Sequence, residues 1–228
     1  MKKLLLCLIL LICLPIFAGC ELQDESYYEY DINEDGTLTI LGVSETYSKK
    51  LTIPGTIDGK TVTAIGKYAF YRNDYIREIV LPDSVLIIEE CAFADCQYLN
   101  TVVLGKNCKT IGLQAFEGCG SLTEIKLCDS LETVDDLAFN QCLHLKEFNA
   151  PASLKRIGIG AFDHCEQLII NIEHSEVAKE YATDHGIPTE FVASDGYLAL
   201  KIVLGVSLVL LAIGVIGFLF KKRKKNIH

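Results

Sequence analysis

Basic residues are scarce where a nucleic-acid surface would need them. All 30 acidic residues of this 228-residue chain lie between Glu21 and Asp195, where only 13 lysines and arginines oppose them, a net charge of −17. A nucleic-acid-binding module wants the opposite sign, so that class is excluded. The motifs of catalysis are missing as well. There is no serine in a nucleophile elbow, no glycine loop shaped to cradle a phosphate and no isolated carboxylate pair. Histidine is limited to His144, His164, His174, His185 and His228. Cys142-x-His144 and His164-Cys165 look ligand-like in isolation, but zinc requires four convergent ligands at characteristic spacing. Asp31-x-Asn33-x-Asp35-Gly36 matches the first half of a calcium loop, yet its twelfth position is Gly42, where a bidentate glutamate is needed. No flanking helix pattern accompanies it. The Asp-Gly pair sits instead between alternating apolar residues, Tyr28, Tyr30 and Ile32 before it and Leu38, Ile40 and Leu41 after it, which predicts a β-hairpin. The chain is therefore not expected to be an enzyme, and no catalytic residue, cofactor or metal is expected.

The missing positive charge is at the two ends, where the chain is also most apolar. Half of the residues are apolar and the mean hydropathy is +0.29. Lys2 and Lys3 precede an uncharged apolar run over residues 4–16, too short to span a membrane comfortably, so residues 1–19 read as a signal peptide. It ends in Phe17-Ala18-Gly19-Cys20, similar to the lipobox of bacterial lipoproteins except for phenylalanine where leucine is usual. Cys20 is either a lipidated N-terminus or the residue beside an ordinary cleavage point. At the other end, residues 202–220 are uncharged and apolar, long enough as a helix for one transmembrane span. Lys221, Lys222, Arg223, Lys224 and Lys225 follow at once, placing residues 221–228 in the cytoplasm and the acidic body outside by the positive-inside rule. Gly205, Gly214 and Gly217 do not form a G-x-x-x-G dimer face.

Between these ends the chain repeats. Phe70, Phe93, Phe116, Phe139 and Phe162 are spaced by 23 residues each time, each preceded by alanine. Ile65, Ile88, Ile111, Val134 and Ile157 stand four residues before those alanines. A strict period of this length predicts a solenoid of stacked units. Further columns follow: Val62, Val85, Cys108, Leu131, Leu154; Ile76, Leu99, Leu122, Leu145, Leu168; Ile79, Val102, Ile125, Phe148; and Leu81, Leu104, Leu127, Ala150. The last two are spaced by two residues within each unit, which predicts a short strand with alternate residues inward, stacked into a parallel sheet. In the final unit Asn171 would fall on a core position, and Ile170 and Ile172 fit only after a shift by one residue, so a deletion or bulge is expected there. Leu51-Thr52-Ile53-Pro54 reads as a degenerate first repeat. Apolar spacing at Val177, Ala178, Tyr181 and Ala182 predicts a short amphipathic helix, stopped by Gly186 and Pro188 and followed by a last strand. The expected plan is a linker at 20–27, an N-terminal cap with the degenerate repeat at 28–61, repeats at 62–176, a C-terminal cap at 177–192 and a juxtamembrane linker at 193–201 before the span.

The runs Ile65-Gly66-x-x-Ala69-Phe70 and Ile79-x-Leu81-Pro82, with the terminal Val177-Ala178-Lys179-Glu180-Tyr181-Ala182 and His185-Gly186-Ile187-Pro188, resemble BspA-like leucine-rich repeats of bacterial surface proteins. The resemblance spans about residues 28–192. Asn73 departs from it where later units carry cysteine, as do Gly105 and Cys128 where proline is usual. It implies a β-rich solenoid, a right-handed stack of about five 23-residue units with short helices, exported, with roles in adhesion and surface recognition and no common ligand.

Seven of the ten cysteines lie in this body, and seven cannot all pair within one chain. Cys96, Cys119, Cys142 and Cys165 recur every 23 residues, three after each phenylalanine, and are expected with the five phenylalanines as a buried spine of free thiols. Unpaired thiols in an exported protein imply a weakly oxidising exterior. With the regular positions assigned to the scaffold, the candidate binding face is the outward side of the strands: Arg77, Glu78, Val80, Asn100, Thr101, Val103, Thr123, Glu124, Lys126, Lys146, Glu147 and Asn149. The expected function is recognition of an external protein or glycan by a module held at the bacterial cell membrane; the alternative is a structural or assembly role in the envelope without a soluble ligand.

Overall fold

The computed structural model describes residues 27–44, 48–172 and 175–190. They form one solenoid of about six turns, closed at both ends. A hairpin of β1 (Tyr28–Ile32) and β2 (Leu38–Val43) starts it. Asn33 and Gly36 close its turn, with the Gly36 N–H donating to the Asn33 carbonyl, as the Asp-Gly signal requires. The alternation buries Tyr28 but leaves Ile32 58% exposed, so that end of the hairpin overhangs the core. The degenerate repeat supplies β3 (Lys50–Thr52), β4 (Thr56–Ile57) and β5 (Lys60–Ile65). Leu51 pairs with Ile79, the register read from the sequence.

Each later unit contributes two strands. The longer ones are β6 (Glu78–Val80), β8 (Thr101–Val103), β10 (Glu124–Lys126), β12 (Glu147–Ala150) and β14 (Ile169–Ile172). The two-residue ones are β7 (Ile87–Ile88), β9 (Thr110–Ile111), β11 (Thr133–Val134) and β13 (Arg156–Ile157). The short strands continue from β2 and β5 as an unbroken parallel sheet to β13. Helix α1 (Glu176–His185) and β15 (Thr189–Glu190) close the far end, β15 pairing in parallel with β14. The Ser175 hydroxyl caps α1 by accepting from the Ala178 N–H, and Gly186 ends it at φ 66°. Among the described residues no helix is long and apolar enough to cross a membrane. The expected signal peptide, Cys20, the span at 202–220 and the basic tail lie outside the described residues.

The short helices expected within the units are replaced by pairs of tight turns. Tyr68, Cys91, Gln114 and Leu137 occupy one column at φ 53–56° or 60°, and Arg72, Asp95 and Gln141 another at 56–61°. A left-handed residue every fourth position stops a helix, which needs φ near −63° throughout. It also turns alternate amides along the stack. The N–H groups of Tyr68, Phe70 and Arg72 donate to the carbonyls of Glu90, Ala92 and Ala94 one unit later. The same three bonds recur at the next three junctions, so the turns form a third hydrogen-bonded wall. Each unit thereby satisfies its backbone polar groups through its neighbours.

The five phenylalanines stand inside this wall. Their rings stack at centroid distances of 5.1, 5.2, 5.3 and 5.3 Å with interplanar angles of 5° or less. The alanine before each of the last four is fully buried, which lets successive turns approach closely. The cysteine ladder has its own use. The thiols of Cys96, Cys119, Cys142 and Cys165 donate to the carbonyls of Phe70, Phe93, Phe116 and Phe139 at 3.0–3.2 Å. In the first unit Asn73 stands in for cysteine and accepts from the N–H groups of Tyr75 and Ile76. The departure at Gly105 also has a cause, because a Cβ there would lie 1.9 Å from the Pro82 carbonyl oxygen. In the last unit Phe148 pairs with Ile170 and Ala150 with Ile172, so one residue is lost just after Leu168, as the pattern demanded.

Truncating Phe116 to alanine removes a ring with neighbours on both faces and is expected to cost about 3–5 kcal/mol in chemical denaturation. A second outcome concerns pH. Burial pushes the Tyr28 phenol from 10.0 to about 12 and the Cys108 and Cys165 thiols from 9.0 to about 12. The folded chain therefore holds these protons longer than the unfolded chain does. Their contribution is complete below the unfolded values and is lost as pH rises through the folded ones. The thermal midpoint, followed by circular dichroism, is expected to fall steadily between about pH 9 and 12.

Candidate functional site

All twelve candidate residues lie on or beside the longer strands, with Ile79, Val102, Ile125 and Phe148 buried between them. They do not form one uniform face. In the first half the side chains are committed to the scaffold. The Arg77 guanidinium lies 4.3 Å from the centre of the Tyr98 ring and donates to the carbonyls of Asp74 and Tyr75. Glu78 pairs with Lys50 at 2.7 Å. Val80, Thr101 and Val103 are half-buried within the ladder, and Asn100 is exposed beside it.

In the second half the ladder breaks. β3, β6, β8 and β10 form one parallel sheet, β12, β14 and β15 another, and β10 does not pair with β12. Elsewhere the N–H that opens each strand donates to the preceding unit, as from Asn100 and Thr101 to Arg77 and from Thr123 and Glu124 to Asn100. Lys146 and Glu147 make no such bond to Thr123, nor does Leu127 donate to Asn149 as Leu104 does to Lys126. By the parallel register on either side, the groups facing the gap are the carbonyls of Thr123, Ile125, Glu147 and Asn149 and the N–H groups of Ile125, Leu127, Glu147 and Asn149.

A side-chain substitution accounts for the break. The column Ile79, Val102, Ile125 ends in Phe148, whose ring packs edge-on against Phe139 at 6.0 Å and Phe162 at 4.8 Å. A ring there needs more width than a β-branched chain, and it holds β12 away from β10. The next inward column drops from Leu127 to Ala150, so Leu127 is only half-buried. The result is a cleft of about 600 Å³ lined by Thr123, Glu124, Lys126, Lys146, Glu147 and Asn149, six of the twelve candidates. Ile125, Leu127, Cys128, Asp129, Ala150, Pro151 and Asn171, none of them among the twelve candidates, line the rest of it. Asn171 is 6% exposed; its amide donates to Asn149 Oδ1 at 2.7 Å while its own Oδ1 has no partner. The signal for the cleft was in the sequence, as the change of residue size along two inward columns.

Glu124 and Lys126 pair with each other at 3.5 Å across the exposed strand surface, while Lys146, Glu147 and Asp129 have no ion-pair partner among the described residues. The cleft thus offers charges of both signs and open main-chain donors and acceptors. That set suits hydrogen-bonded recognition of a peptide-like group. The histidine–cysteine pairs contribute nothing to it. Cys142 donates to Phe116 and His144 Nδ1 contacts the Gly120 carbonyl at 2.5 Å.

A family model described as the BspA type leucine rich repeat region matches six copies over residues 45–180. The chain belongs to the BspA-type leucine-rich repeat family. Among solved structures, a leucine-rich repeat protein of Treponema pallidum superposes with a TM-score of 0.64 at 23% identity, covering 75% of this chain and 99% of that one, a likeness of fold. A leucine-rich repeat protein of Bacteroides ovatus is 31% identical with a TM-score of 0.57, covering 63% of this chain. This BspA-type chain spans 39% of that protein's length. No curated protein matches it.

Replacing Phe148 by isoleucine, the residue of the same column at Ile79 and Ile125, is expected to let β12 pair with β10. The amides of Leu127 and Asn149 should then exchange with solvent about tenfold more slowly, measured residue by residue by hydrogen exchange.

Proposed function

We propose that this protein is a membrane-tethered, extracytoplasmic recognition module whose cleft between β10 and β12 holds an extended segment of a protein partner. The observation that carries the reading is the open pair of strand edges, surrounded by six outward residues that vary from unit to unit. Strand edges recognise extended chains through main-chain hydrogen bonds, while the flanking side chains select among them. Lys126 and Lys146 on one side of the charge balance and Glu124, Glu147 and Asp129 on the other supply that selection. The placement rests on the sequence: a signal peptide ending before Cys20, a single span at 202–220 and a basic tail in the cytoplasm support a repeat domain on the outside of a bacterial cell membrane. Lipidation of Cys20 would add a second tether. Family membership supports a surface role and leaves the ligand open.

Cells displaying the full-length chain are expected to bind extracellular protein ligands, screened as immobilised matrix and host-cell proteins. The double substitution Lys126→Glu and Lys146→Glu should weaken that binding by about tenfold or more. Binding that survives charge reversal would move the site off the cleft. No binding by displayed, folded chain would favour a role in envelope structure.

A further inference from the structure

A pair of exposed rings in mutual contact stands on the turn wall. Tyr68 and Tyr71 are 49% and 43% exposed and meet edge to face at 5.7 Å. Lys67 Nζ stands 5.3 Å from the Tyr68 ring centre and Arg72 Cζ 5.3 Å from that of Tyr71. One unit later the same two columns hold Cys91 and Ala94, and one unit after that Gln114 and Glu117. The neighbouring column runs Arg72, Asp95, Gly118, Gln141. Large rings are thus followed by small side chains and then by planar polar ones. The step leaves a pit of about 370 Å³, lined by Tyr68 and Tyr71, by Cys91, Ala94 and Gly118, and by Asp95, Gln114, Glu117 and Gln141. Its size is at the low end of small-molecule pockets, about 300–1,000 Å³.

The chemistry of the pit narrows its occupant. Its rim charges are already matched: Lys67 with Glu90 at 2.6 Å and Arg72 with Asp95 at 3.4 Å. Glu117 accepts from the amides of Gln114 and Asn140. Burial pushes the Cys91 thiol up, so the floor is uncharged at neutral pH. An anionic ligand finds no unpaired positive charge here, and Glu117, the one carboxylate of the lining without a cation beside it, has both oxygens already bonded by the Gln114 and Asn140 amides. An extended peptide finds no open strand edge either, because the turn-wall N–H groups of Cys91, Gln114 and Gly118 are spent on the next unit. What remains is two aromatic rings beside four planar carboxylate and carboxamide groups. Ring faces carry partial negative charge and attract the polarised C–H bonds of a pyranose. Carboxylates and carboxamides present two adjacent polar atoms that match vicinal hydroxyls.

We propose that the pit walled by Tyr68 and Tyr71 on the turn wall is a binding site for a neutral oligosaccharide, separate from the strand-face cleft.

The test uses full-length chain in detergent micelles, titrated with maltohexaose, cellohexaose, mannohexaose, xylohexaose and chitohexaose. Binding is read by saturation-transfer NMR and by tyrosine fluorescence, which is unmasked because the chain has no tryptophan. At least one sugar is expected to bind. Tyr71→Ala should weaken it by about tenfold. Ala94→Tyr should weaken it as much by filling the pit, in protein that circular dichroism shows to be folded, since tyrosine already stands at the equivalent position one unit earlier. Lys146→Glu, in the cleft, should leave sugar binding unchanged. Failure of all five sugars to bind, or binding undiminished by Ala94→Tyr in folded protein, would overturn the assignment. So would a proline-rich peptide probe that binds the pit while the sugars do not.

Discussion

Everything in this solenoid is set by how closely one turn can lie on the next. The phenylalanine rings stack at just over 5 Å, slightly wider than the usual spacing of paired strands, about 4.7–4.9 Å. Sheets, turn wall and ring stack must share that pitch, because all three belong to every unit. Alanine before the ring and a thiol three residues after it are the consequences. Alanine is small enough to let turns touch, and the thiol reaches back to the carbonyl of the preceding phenylalanine without forcing the units apart. The ion pairs between units, such as Lys67 with Glu90 and Lys155 with Glu132, decorate this arrangement; exposed as they are, each contributes little.

Such regularity leaves few places for function, and both candidate sites arise where a column changes residue size. At Phe148 an inward residue is too large, and the strand ladder parts to admit it. At Cys91 and Ala94 outward residues are abruptly small, and a pit opens beneath the preceding tyrosines. The first exposes main chain and the second exposes only side chains. One uniform scaffold therefore presents two surfaces with different chemical demands, on different walls.

The sequence made the stack legible because each periodic residue has one job. The ring column, the alanine before it, the hairpin, the one-residue slip near Ile170 and the closing helix all followed from spacing and from which side chains tolerate burial. The turn wall was not legible. Short helices were expected where left-handed residues such as Tyr68, Gln114 and Leu137 stand instead of glycine, and nothing in those residue types announces a positive φ. The candidate site was half legible. Alternation identified its outward residues, but a list of outward residues does not say which stretch of ladder is open. That depends on the volume of Phe148, which by spacing alone is one more apolar member of its column. Asn171 was noticed as out of place in a core; its position beside Asn149 in the cleft follows from the register shift.

The turn wall also makes the solenoid electrically polar. In a parallel sheet, neighbouring strands exchange hydrogen bonds in both directions and little net moment survives. On the turn wall all twelve bonds run one way, with the donor in the earlier unit. Their peptide dipoles, each about 3.5 D, therefore add along the axis as they do in a helix. The sense is opposite to that of a helix, with the positive pole toward the later units and the negative pole at the hairpin. The Tyr181 hydroxyl of α1 accepts from the amide of Phe162, the last ring of the ladder, at 3.4 Å, placing a lone pair at the positive pole. An acidic rod built this way has a head and a tail for any field it meets, independent of where its ionised side chains lie.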